Sequence, residues 1–306
     1  MIIATLSRQS GVSEANLRWL AETASKRYKV YDIPKRNGGT RRISHPSREI
    51  KAIQRWINRS LLANLPVHTN ATAYAPGSSI KKNATAHART RFTLRIDFKD
   101  FFPSFTRFGI IDFLRFAQSK YSLQINEDDI IFISKVMCRN DSLTIGAPSS
   151  PVITNAIMYE FDQAVSHACD ERGLIYTRYA DDLFISTTES GGFKGIEALI
   201  GIISDNFTYA KLQINSSKTA YLSMRNRRII TGLIITPDHQ VSLGRARKRE
   251  IKSLIFRFIS QKLEIEEIFR LKGLVAFAKD VEPSFYTSLV LKYGVEALIR
   301  VNKHFS

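Results

Sequence analysis

Two stretches of strand-forming residues end in carboxylates, and this feature restricts the possible folds more than any other in the sequence. Phe92 to Phe98 alternates as a strand does and contains Asp97 near its end. Ile175 to Ser186 consists of two apolar runs on either side of Asp181 and Asp182, which is the pattern of a hairpin with acids at its tip. The two segments therefore predict strands that bring carboxylates to one edge of a sheet.

A helix is predicted between these two strand segments. Ser149 or Ser150 can cap its start, and Pro151 suits its first turn because a backbone N–H is not needed there. The predicted buried face of this helix consists of Ile153, Ile157, Phe161, Ala164 and Ala168. The order of strand, helix and hairpin indicates an α+β fold.

The N-terminal part of the chain predicts a helix, a hairpin and a second helix. Ser13 can cap a helix whose apolar face is made of Leu17, Leu20, Ala21, Ala24 and Tyr28. Asn37 to Gly39 predicts a hairpin turn with basic flanks, which are Lys35, Arg36, Arg41 and Arg42. The second helix starts at Ser47 and turns four apolar residues inward, which are Ile50, Ile53, Ile57 and Leu61. Its basic residues face elsewhere, at Arg48, Lys51, Arg55 and Arg59.

The last part of the chain predicts a small helical bundle. Three helices are expected at 245–259, 264–279 and 283–303, with breaks at Gly244, Gln261 and Pro283. The first of them carries dense positive charge, at Arg245, Arg247, Lys248, Arg249 and Lys252. Such a charged face suits the phosphate backbone of a nucleic-acid duplex.

The charge of the whole chain also favours a polyanionic partner. Lysine and arginine number 45 against 28 aspartate and glutamate residues, which gives a formal net charge of +17 and a pI of about 9.9. Nucleic acid is the first candidate for such a partner. An excess of lysine that only keeps the surface soluble is the alternative, so charge alone indicates a partner and no reaction.

The cysteine content and the hydropathy pattern point to a cytoplasmic protein without a membrane partner. Only Cys138 and Cys169 are present, without a Cys/His cluster, so we expect reduced thiols and neither a zinc ribbon nor a disulfide framework. The N-terminus has no signal-peptide pattern. The longest uncharged run, Ser142 to Tyr159, contains Gly146 and two prolines, which is wrong for a membrane span.

The three aspartates together predict a metal site. An adjacent pair of aspartates by itself is typical of a polar turn. Asp97 adds a third carboxylate at a strand end, and three such groups would repel one another without cations. Mg²⁺ prefers carboxylate and phosphate oxygens, and two ions about 3.5–4 Å apart can activate a 3′ hydroxyl and stabilise a leaving pyrophosphate.

Four sequence blocks resemble motifs A to D of reverse transcriptases in their order and spacing. They are FTLRIDFKDFFPSF, LTIGAPSSPVITNAIMYEFD, TRYADDLFIS and NSSKT. The resemblance implies a right-hand polymerase fold with fingers at 1–92, a palm of antiparallel sheet plus helices at 93–232 and a helical thumb at 233–306, with finger helices inserted at about 106–145. It further implies that Asp97 and Asp181 bind two Mg²⁺ ions, for which Mn²⁺ is an alternative, and that Asp182 supports them.

The same resemblance implies a set of residues around the incoming nucleotide. Phe102 matches the aromatic residue that excludes a ribose 2′-OH, although a Phe among Phe98, Phe101 and Phe105 could also be core. Lys35, Arg41, Asp100, Phe101 and Gly146 would border the dNTP, with a solvated basic hairpin as the alternative for the first two. Lys218 resembles the lysine proposed to protonate pyrophosphate. The chain departs from the family at Ile145, where motif B usually has Gln, and we expect altered affinity or fidelity from this change.

Two further elements resemble the retron branch of this family. Asn83 to His87 resembles its NAxxH element, and Ile230-Thr231-Gly232 resembles its VTG triplet. A lone His87 would more often be a core or capping histidine. The resemblance implies that Asn83, His87, Thr231 and Gly232 bind RNA or duplex. It also implies a cognate structured noncoding RNA, priming from a guanosine 2′-OH, a branched RNA–DNA product, and a role in antiphage defence beside a partner effector.

Two other functions remain open from the sequence. One is a reverse transcriptase of another mobile or diversity-generating element that uses a conventional primer. The other is a non-catalytic RNA-binding scaffold, because a net charge of +17 and basic helices would suffice for binding alone.

Overall fold

Helices and antiparallel strands are mixed along the chain, so the α+β class predicted from the sequence is confirmed. The computed structural model describes residues 1–35 and 38–303, without the side chains of 302 and 303. The helices are α1 Ile2–Ser10, α2 Glu14–Glu22, α3 Arg48–Ser60, α4 Ile80–Ala86, α5 Phe101–Ser104, α6 Arg107–Lys120, α7 Glu127–Met137, α8 Ser150–Ile157, α9 Tyr159–Asp170, α10 Ile196–Asp205, α11 Arg245–Ile259, α12 Ile265–Val281, α13 Pro283–Tyr293 and α14 Val295–Lys303. The strands are β1 Tyr28–Pro34, β2 Thr40–Pro46, β3 Phe92–Asp97, β4 Ile175–Tyr179, β5 Asp182–Thr187, β6 Ala220–Ser223, β7 Arg228–Ile230, β8 Leu233–Ile235 and β9 Val241–Ser242.

The chain forms two compact units. The first contains Met1–Ser78 and Leu94–Ala220, and the second contains Ser79–Thr93 and Tyr221–Ser306. The boundaries at 92 and 232 between fingers, palm and thumb remain predictions.

In the first unit, two strand pairs provide the framework. β1 and β2 form an antiparallel hairpin with Tyr28 opposite Pro46 and Pro34 opposite Thr40. The predicted hairpin is therefore present, while Arg36 and Asn37 of its turn lie outside the described residues. β4 and β5 pair antiparallel, and β5 also lies beside β3. The two segments predicted to carry carboxylates are thus neighbours in one sheet.

Local capping signals explain where the first helices begin. Ser47 accepts a hydrogen bond from the Ile50 N–H (3.4 Å) and starts α3, as predicted. Ser13 caps α2 in the same way, but α2 ends at Glu22 and Tyr28 begins a strand, so the longer helix predicted there is wrong. Helix α1 was not predicted. The buried Asp129 carboxylate of α7 accepts hydrogen bonds from the first N–H groups of α1, which supplies a cap from far along the chain.

The helix predicted from Pro151 onward is interrupted. α8 ends at Ile157, and α9 starts after Met158, which belongs to neither helix. The break shifts the buried face, so Ala164 is exposed and Val165 is buried in its place. The prediction that Ala164 is buried is therefore wrong, whereas Ile153, Ile157, Phe161 and Ala168 are buried as predicted.

The second unit combines a small sheet with helices. β7, β8 and β9 form an antiparallel meander, and α11 to α14 follow it. α11 has the predicted bounds. The single helix predicted at 283–303 is two helices, because Gly294 adopts a positive φ of 83° at the end of α13 and α14 starts at Val295.

Both cysteines are free and buried. Burial raises the pKa of the Cys138 thiol and that of the Cys169 thiol to about 12, so both are inert at neutral pH. Among the described residues, none of the helices combines the length and the apolar character that a bilayer span requires.

Candidate active site

The turn between β4 and β5 places two carboxylates at the tip of a hairpin in the first unit. Tyr179 pairs with Asp182 at the end of the ladder, so Ala180 and Asp181 form the turn. Ala180 has a φ of 57°, a left-handed conformation that costs an L-residue about 1–2 kcal/mol. Such a conformation persists only where the surroundings fix it, and such residues are concentrated at functional sites.

A fully buried network fixes this turn from within the first unit. The Arg178 guanidinium donates to both oxygens of Asp162 (2.8 and 2.7 Å), and both side chains are fully buried. The remaining Nη1 of Arg178 donates to the Ala180 carbonyl (3.1 Å) and to Asn155 Oδ1 (3.3 Å). Tyr176 donates its hydroxyl hydrogen to Asp162 (2.7 Å), and burial raises the pKa of Tyr176 well above its usual value. The strained turn is therefore anchored by a charged pair.

Asp97 lies next to this turn at the end of β3. Asp97 is 3% exposed, and the Phe98 N–H donates to the Asp181 carbonyl (3.1 Å), which joins the two acidic segments directly. Asn215 donates to Asp97 from its backbone N–H (2.7 Å, to the carbonyl) and from its side chain (3.1 Å, to Oδ1). The Lys218 ammonium contacts both Asp97 oxygens, at 2.8 and 3.1 Å. Lys218 is thus the counter-charge of Asp97.

The two aspartates of the turn have different surroundings. Arg95 binds Asp182, with Nε and Nη2 at 2.9 and 2.8 Å from Oδ1. Burial raises the pKa of Asp182 to about 6, against the opposing effect of Arg95. Burial also raises the pKa of Asp181, and the charge of Asp97 acts in the same direction. In the part of the chain that the structure describes, Asp181 forms no ion pair and no hydrogen bond with another side chain.

The predicted cage of three carboxylates is not formed as such. Within residues 1–35 and 38–303, no group of three or more His, Cys, Asp or Glu side chains is arranged to hold a metal ion. Asp182 is bound by Arg95, and the charges of Asp181 and Asp97 also act on it. Asp97 and Asp181 remain a chemically suitable pair of hard oxygen donors, because a divalent cation would relieve the repulsion that raises the pKa of Asp181.

The β1–β2 hairpin is attached to the motif B segment by a backbone contact. The Ser44 N–H donates to the Ile145 carbonyl (2.8 Å), and Gly146 follows with a φ of 111°. Arg41 lies on the same strand, exposed, and its charge acts to lower the pKa of Asp181, so the structure brings it within electrostatic range of the carboxylates. Lys35 is exposed at the end of the hairpin. Ile145 takes part in this contact only through its backbone carbonyl. The contact with Ser44 is therefore unaffected by the Ile side chain that stands where the family usually has Gln.

We expect Gly146→Ala to impair nucleotide binding. A Cβ at this position would lie 2.9 Å from the Ser44 carbonyl oxygen, and the positive φ strains any L-residue. The segment must then move away from β2, which carries Arg41, so the KM for dNTP should rise about tenfold or more, corresponding to ~1–2 kcal/mol.

The measurement is steady-state kinetics with Gly201→Ala as the control. Gly201 is in α10, where an added Cβ meets nothing within 4 Å, so Ala should leave KM unchanged. Equal KM values for Gly146→Ala and the unmodified chain would contradict the expected coupling.

The residues that follow Asp97 differ in how deeply they are buried. Phe101 is 5% exposed and packs against Phe98, Phe102 and Phe105. The Phe101 ring therefore lies in the core, and the dNTP-binding role predicted for this residue stays a prediction. Phe102 is half-buried and retains an accessible edge, and Asp100 is exposed with a positive φ of 43°.

The two retron-like elements form one structural module in the second unit. Thr231 and Gly232, with φ of 46° and 80°, form the tight turn between β7 and β8. The Thr231 hydroxyl donates to the Ile80 carbonyl (3.1 Å) at the start of α4, the helix that carries Asn83. Both Asn83 and His87 are fully buried, so their side chains support the module from inside, and the RNA-binding role predicted for them stays a prediction.

The buried His87 should make the protein sensitive to acid. Burial lowers the pKa of His87 to about 3, and the Arg228 charge acts in the same direction. Between its ordinary pKa of about 6.5 and pH 3, the unfolded chain binds a proton that the folded chain does not. The free energy of unfolding therefore falls as pH falls through this window, by up to about 1.4 kcal/mol per pH unit, and is unaffected above it.

Urea unfolding between pH 7 and pH 5 measures this dependence. His87→Gln should flatten it, whereas His167→Gln should not, because His167 is 74% exposed. Identical slopes for the unmodified chain and His87→Gln would contradict the expected origin of the effect.

The basic residues predicted on α11 differ in whether their side chains already contact other residues of the protein. Lys248 pairs with Glu282, and Lys248 and Lys252 both lie against the Phe285 ring. Arg247 lies over Phe277 and reaches the Gly232 carbonyl (3.4 Å). Arg245 and Arg249 are exposed and form no ion pair among the described residues. The duplex-facing role predicted for this helix is thus best supported for Arg245 and Arg249, and Lys248 has a structural partner.

Four residues of the site were missed from the sequence: Arg95, Asp162, Arg178 and Asn215. A signal existed for the arginines, because each interrupts an apolar strand, and a buried arginine requires an anionic partner. Arg95 also shares a strand face with Asp97 by the period of two. For Asp162 and Asn215 the sequence holds no comparable signal.

Sequence comparisons with known proteins identify the family. A family described as reverse transcriptase (RNA-dependent DNA polymerase) matches residues 33–258. The chain is 36% identical over 283 residues to the retron Ec83 reverse transcriptase of Escherichia coli and 34% identical over 294 residues to the retron Ec73 reverse transcriptase of the same species; each match covers 90% of both chains. Among solved structures, a Candida albicans telomerase in complex with a telomeric RNA fragment matches with a TM-score of 0.49 and 11% identity, over 90% of this chain and 61% of that one.

Proposed function

The chain belongs to the retron reverse transcriptases and is an RNA-directed DNA polymerase, and from this premise we propose that it copies a cognate structured noncoding RNA by two-metal nucleotidyl transfer. The proposed mechanism rests on one observation. The Phe98 N–H donates a hydrogen bond to the Asp181 carbonyl (3.1 Å), which joins the segment of Asp97 directly to that of Asp181. Lys218, Arg95 and Arg41 supply positive charge around these carboxylates.

Asp97 and Asp181 would hold the catalytic ions. When bound there, two Mg²⁺ ions, or Mn²⁺ in their place, would activate the primer hydroxyl and stabilise charge on the leaving pyrophosphate. Asp182 supports the pair through its own charge and stays oriented by Arg95. The Lys218 ammonium, which contacts Asp97, would donate a proton to the pyrophosphate.

The remaining residues bind and select the nucleotide. Arg41 and Lys35 are exposed cations of the hairpin and would contact the triphosphate, Arg41 with the bidentate geometry that guanidinium offers to phosphate. The half-buried Phe102 ring would exclude a ribose 2′-OH by contact. The exposed Asp100 and the Gly146 backbone would border the same nucleotide.

The proposal extends to the primer and the product. We propose that synthesis starts from the 2′-OH of a guanosine in the cognate RNA and gives a branched RNA–DNA molecule. The module of α4 and the Thr231-Gly232 turn would contact that RNA through its exposed surface, with Asn83 and His87 supporting it from inside. A cytoplasmic location, a partner effector and a role in antiphage defence complete the proposal.

Purification of the protein from cells that express its own locus tests this function. Sequencing of the nucleic acid that copurifies should find RNA and DNA joined covalently, and the DNA should be missing when Asp181→Asn is expressed. DNA without an RNA branch would favour an enzyme that uses a conventional primer. Copurified RNA without DNA in either sample would favour the non-catalytic scaffold.

A further inference from the structure

A concave, strongly basic surface lies in the first unit, between the outer ends of β1 and β2 and the first turns of α3. This surface, the basic groove, is lined by Lys26, Arg27, Tyr28, Lys29, His45, Pro46, Ser47, Arg48, Lys51 and Arg55. Six of these ten residues are Lys or Arg, one is His and none is acidic. The cavity volume of about 610 Å³ is large enough for a short stretch of polymer. None of the carboxylates of the candidate active site lines it.

The cations of the basic groove form no ion pairs within the described chain, although the charges of Arg27 and Arg48 act on the nearby Glu49 carboxylate. Fifteen ion pairs are formed among residues 1–35 and 38–303, and none includes a Lys or Arg of the groove. The nearby Glu49 carboxylate accepts a hydrogen bond from the Ser47 hydroxyl instead (2.6 Å). A concave surface with this much unpaired positive charge favours a polyanion.

The shape of the basic groove is fixed by backbone contacts. The Ser47 N–H donates to the Arg27 carbonyl (2.7 Å), which ties the start of α3 to the start of β1. Lys29 is paired across the strands with His45, and His45 contacts the Lys51 ammonium through Nε2. Arg48, Lys51 and Arg55 recur at helical spacing on one face of α3. The cations are therefore arranged in a row before any ligand binds.

An exposed aromatic ring stands beside this row. The Arg27 guanidinium lies 4.3 Å from the centroid of the Trp19 ring, and its Nε donates to the Thr23 hydroxyl (2.7 Å). Trp19 is 58% exposed, which is unusual for so large an apolar side chain. A row of cations next to an exposed aromatic ring is the combination with which proteins bind single-stranded nucleic acid, because unpaired bases stack on the ring.

We propose that the basic groove binds single-stranded RNA, with the phosphates against its cations and a base stacked at Trp19. The choice of RNA rests on the proposed function, in which the enzyme is bound to the RNA that it copies. The choice of a single strand rests on Trp19, because the bases of a duplex are already stacked and cannot use the ring.

The first experiment neutralises three exposed groove cations, Lys29, Arg48 and Arg55, whose side chains form no hydrogen bond or ion pair among the described residues. Binding of a fluorescent single-stranded RNA to Lys29→Gln/Arg48→Gln/Arg55→Gln is measured by anisotropy over a range of salt concentrations. Loss of three phosphate contacts should reduce the slope of log Kobs against log salt by about 2. The matched control, Lys120→Gln/Lys194→Gln/Lys211→Gln, removes the same charge from exposed positions of the same unit and should keep the slope.

Two results would overturn the proposal. One is an equal slope for the groove variant and its control. The other is an equal loss of slope with a fully paired RNA duplex, which would assign the surface to duplex binding.

The second experiment tests the aromatic contact. Trp19→Leu should raise the Kd for single-stranded RNA about 5- to 100-fold while leaving the salt slope unchanged, because stacking involves no counterion release. An unchanged Kd would reject the stacking contact. Trp56→Phe serves as the control, since Trp56 is only half-exposed and its indole N–H is bound to Gln9 (2.7 Å).

The groove and the proposed function can fail separately. Both binding experiments are repeated in the Asp181→Asn background, which binds RNA without copying it. A groove effect in that background, together with no DNA synthesis by the unmodified protein, would retain the groove and reject the polymerase mechanism. Normal DNA synthesis with no groove effect would retain the polymerase mechanism and reject RNA binding by the groove.

Discussion

Asp181→Asn should reduce DNA synthesis on an RNA template by roughly 10³-fold or more without destabilising the fold. The amide has the size of the carboxylate but lacks the charge that binds a divalent ion, and a metal at such a site contributes several kcal/mol to the transition state. Burial and the charge of Asp97 raise the pKa of Asp181, so ionisation of this carboxyl costs more free energy in the folded chain than in the unfolded chain. Removal of that charge should keep or raise the Tm in the absence of metal.

Mg²⁺ provides a second measurement that does not depend on turnover. The ion should raise the Tm of the unmodified protein and have less effect on Asp181→Asn, because only the former offers two carboxylates to it. Asp205→Asn is the matched control, since Asp205 is exposed at the end of α10 and should change neither activity nor the Mg²⁺ effect. Full activity of Asp181→Asn would refute the proposed mechanism.

The sequence predicted the elements that depend on local signals. The cap at Ser47, the hairpin of β1 and β2 and the strands around Asp181 were all indicated by neighbouring residues, and the structure confirms them. The breaks at Met158 and Gly294 were not predicted, because each lies inside an apolar pattern that also fits a continuous helix. The wrong prediction that Ala164 is buried follows from the break at Met158.

The contacts that orient the carboxylates could not be predicted from the sequence. Asp97 contacts Asn215 and Lys218 across 118 and 121 residues, and Arg95 reaches Asp182 across 87 residues. Periodicity gives the face on which a residue lies but not its partner on another element. For the same reason the motif around Asn83 and His87 suggested RNA contacts, whereas only the structure shows that both side chains are buried.

Arg178→Met should destabilise the first unit by about 3–5 kcal/mol. The substitution leaves the Asp162 carboxylate buried without its cation, and both side chains are 0% exposed. The matched control is Arg18→Met, which removes an exposed pair with Asp128 and should change the free energy of unfolding by less than about 1 kcal/mol. Urea unfolding measures both, and equal effects of the two substitutions would contradict the assigned role of burial.

The double variant Arg178→Met/Asp162→Leu separates the structural role of this pair from its effect on the site. With both charges removed, no lone charge remains inside, so much of the lost stability should return. Activity should not return, because the Ala180 carbonyl still lacks the Arg178 donor that fixes the strained turn before Asp181. The kcat should therefore stay low while the Tm recovers, since the turn would position Asp181, the proposed metal ligand. Recovery of both quantities together would mean that the turn holds its geometry without Arg178.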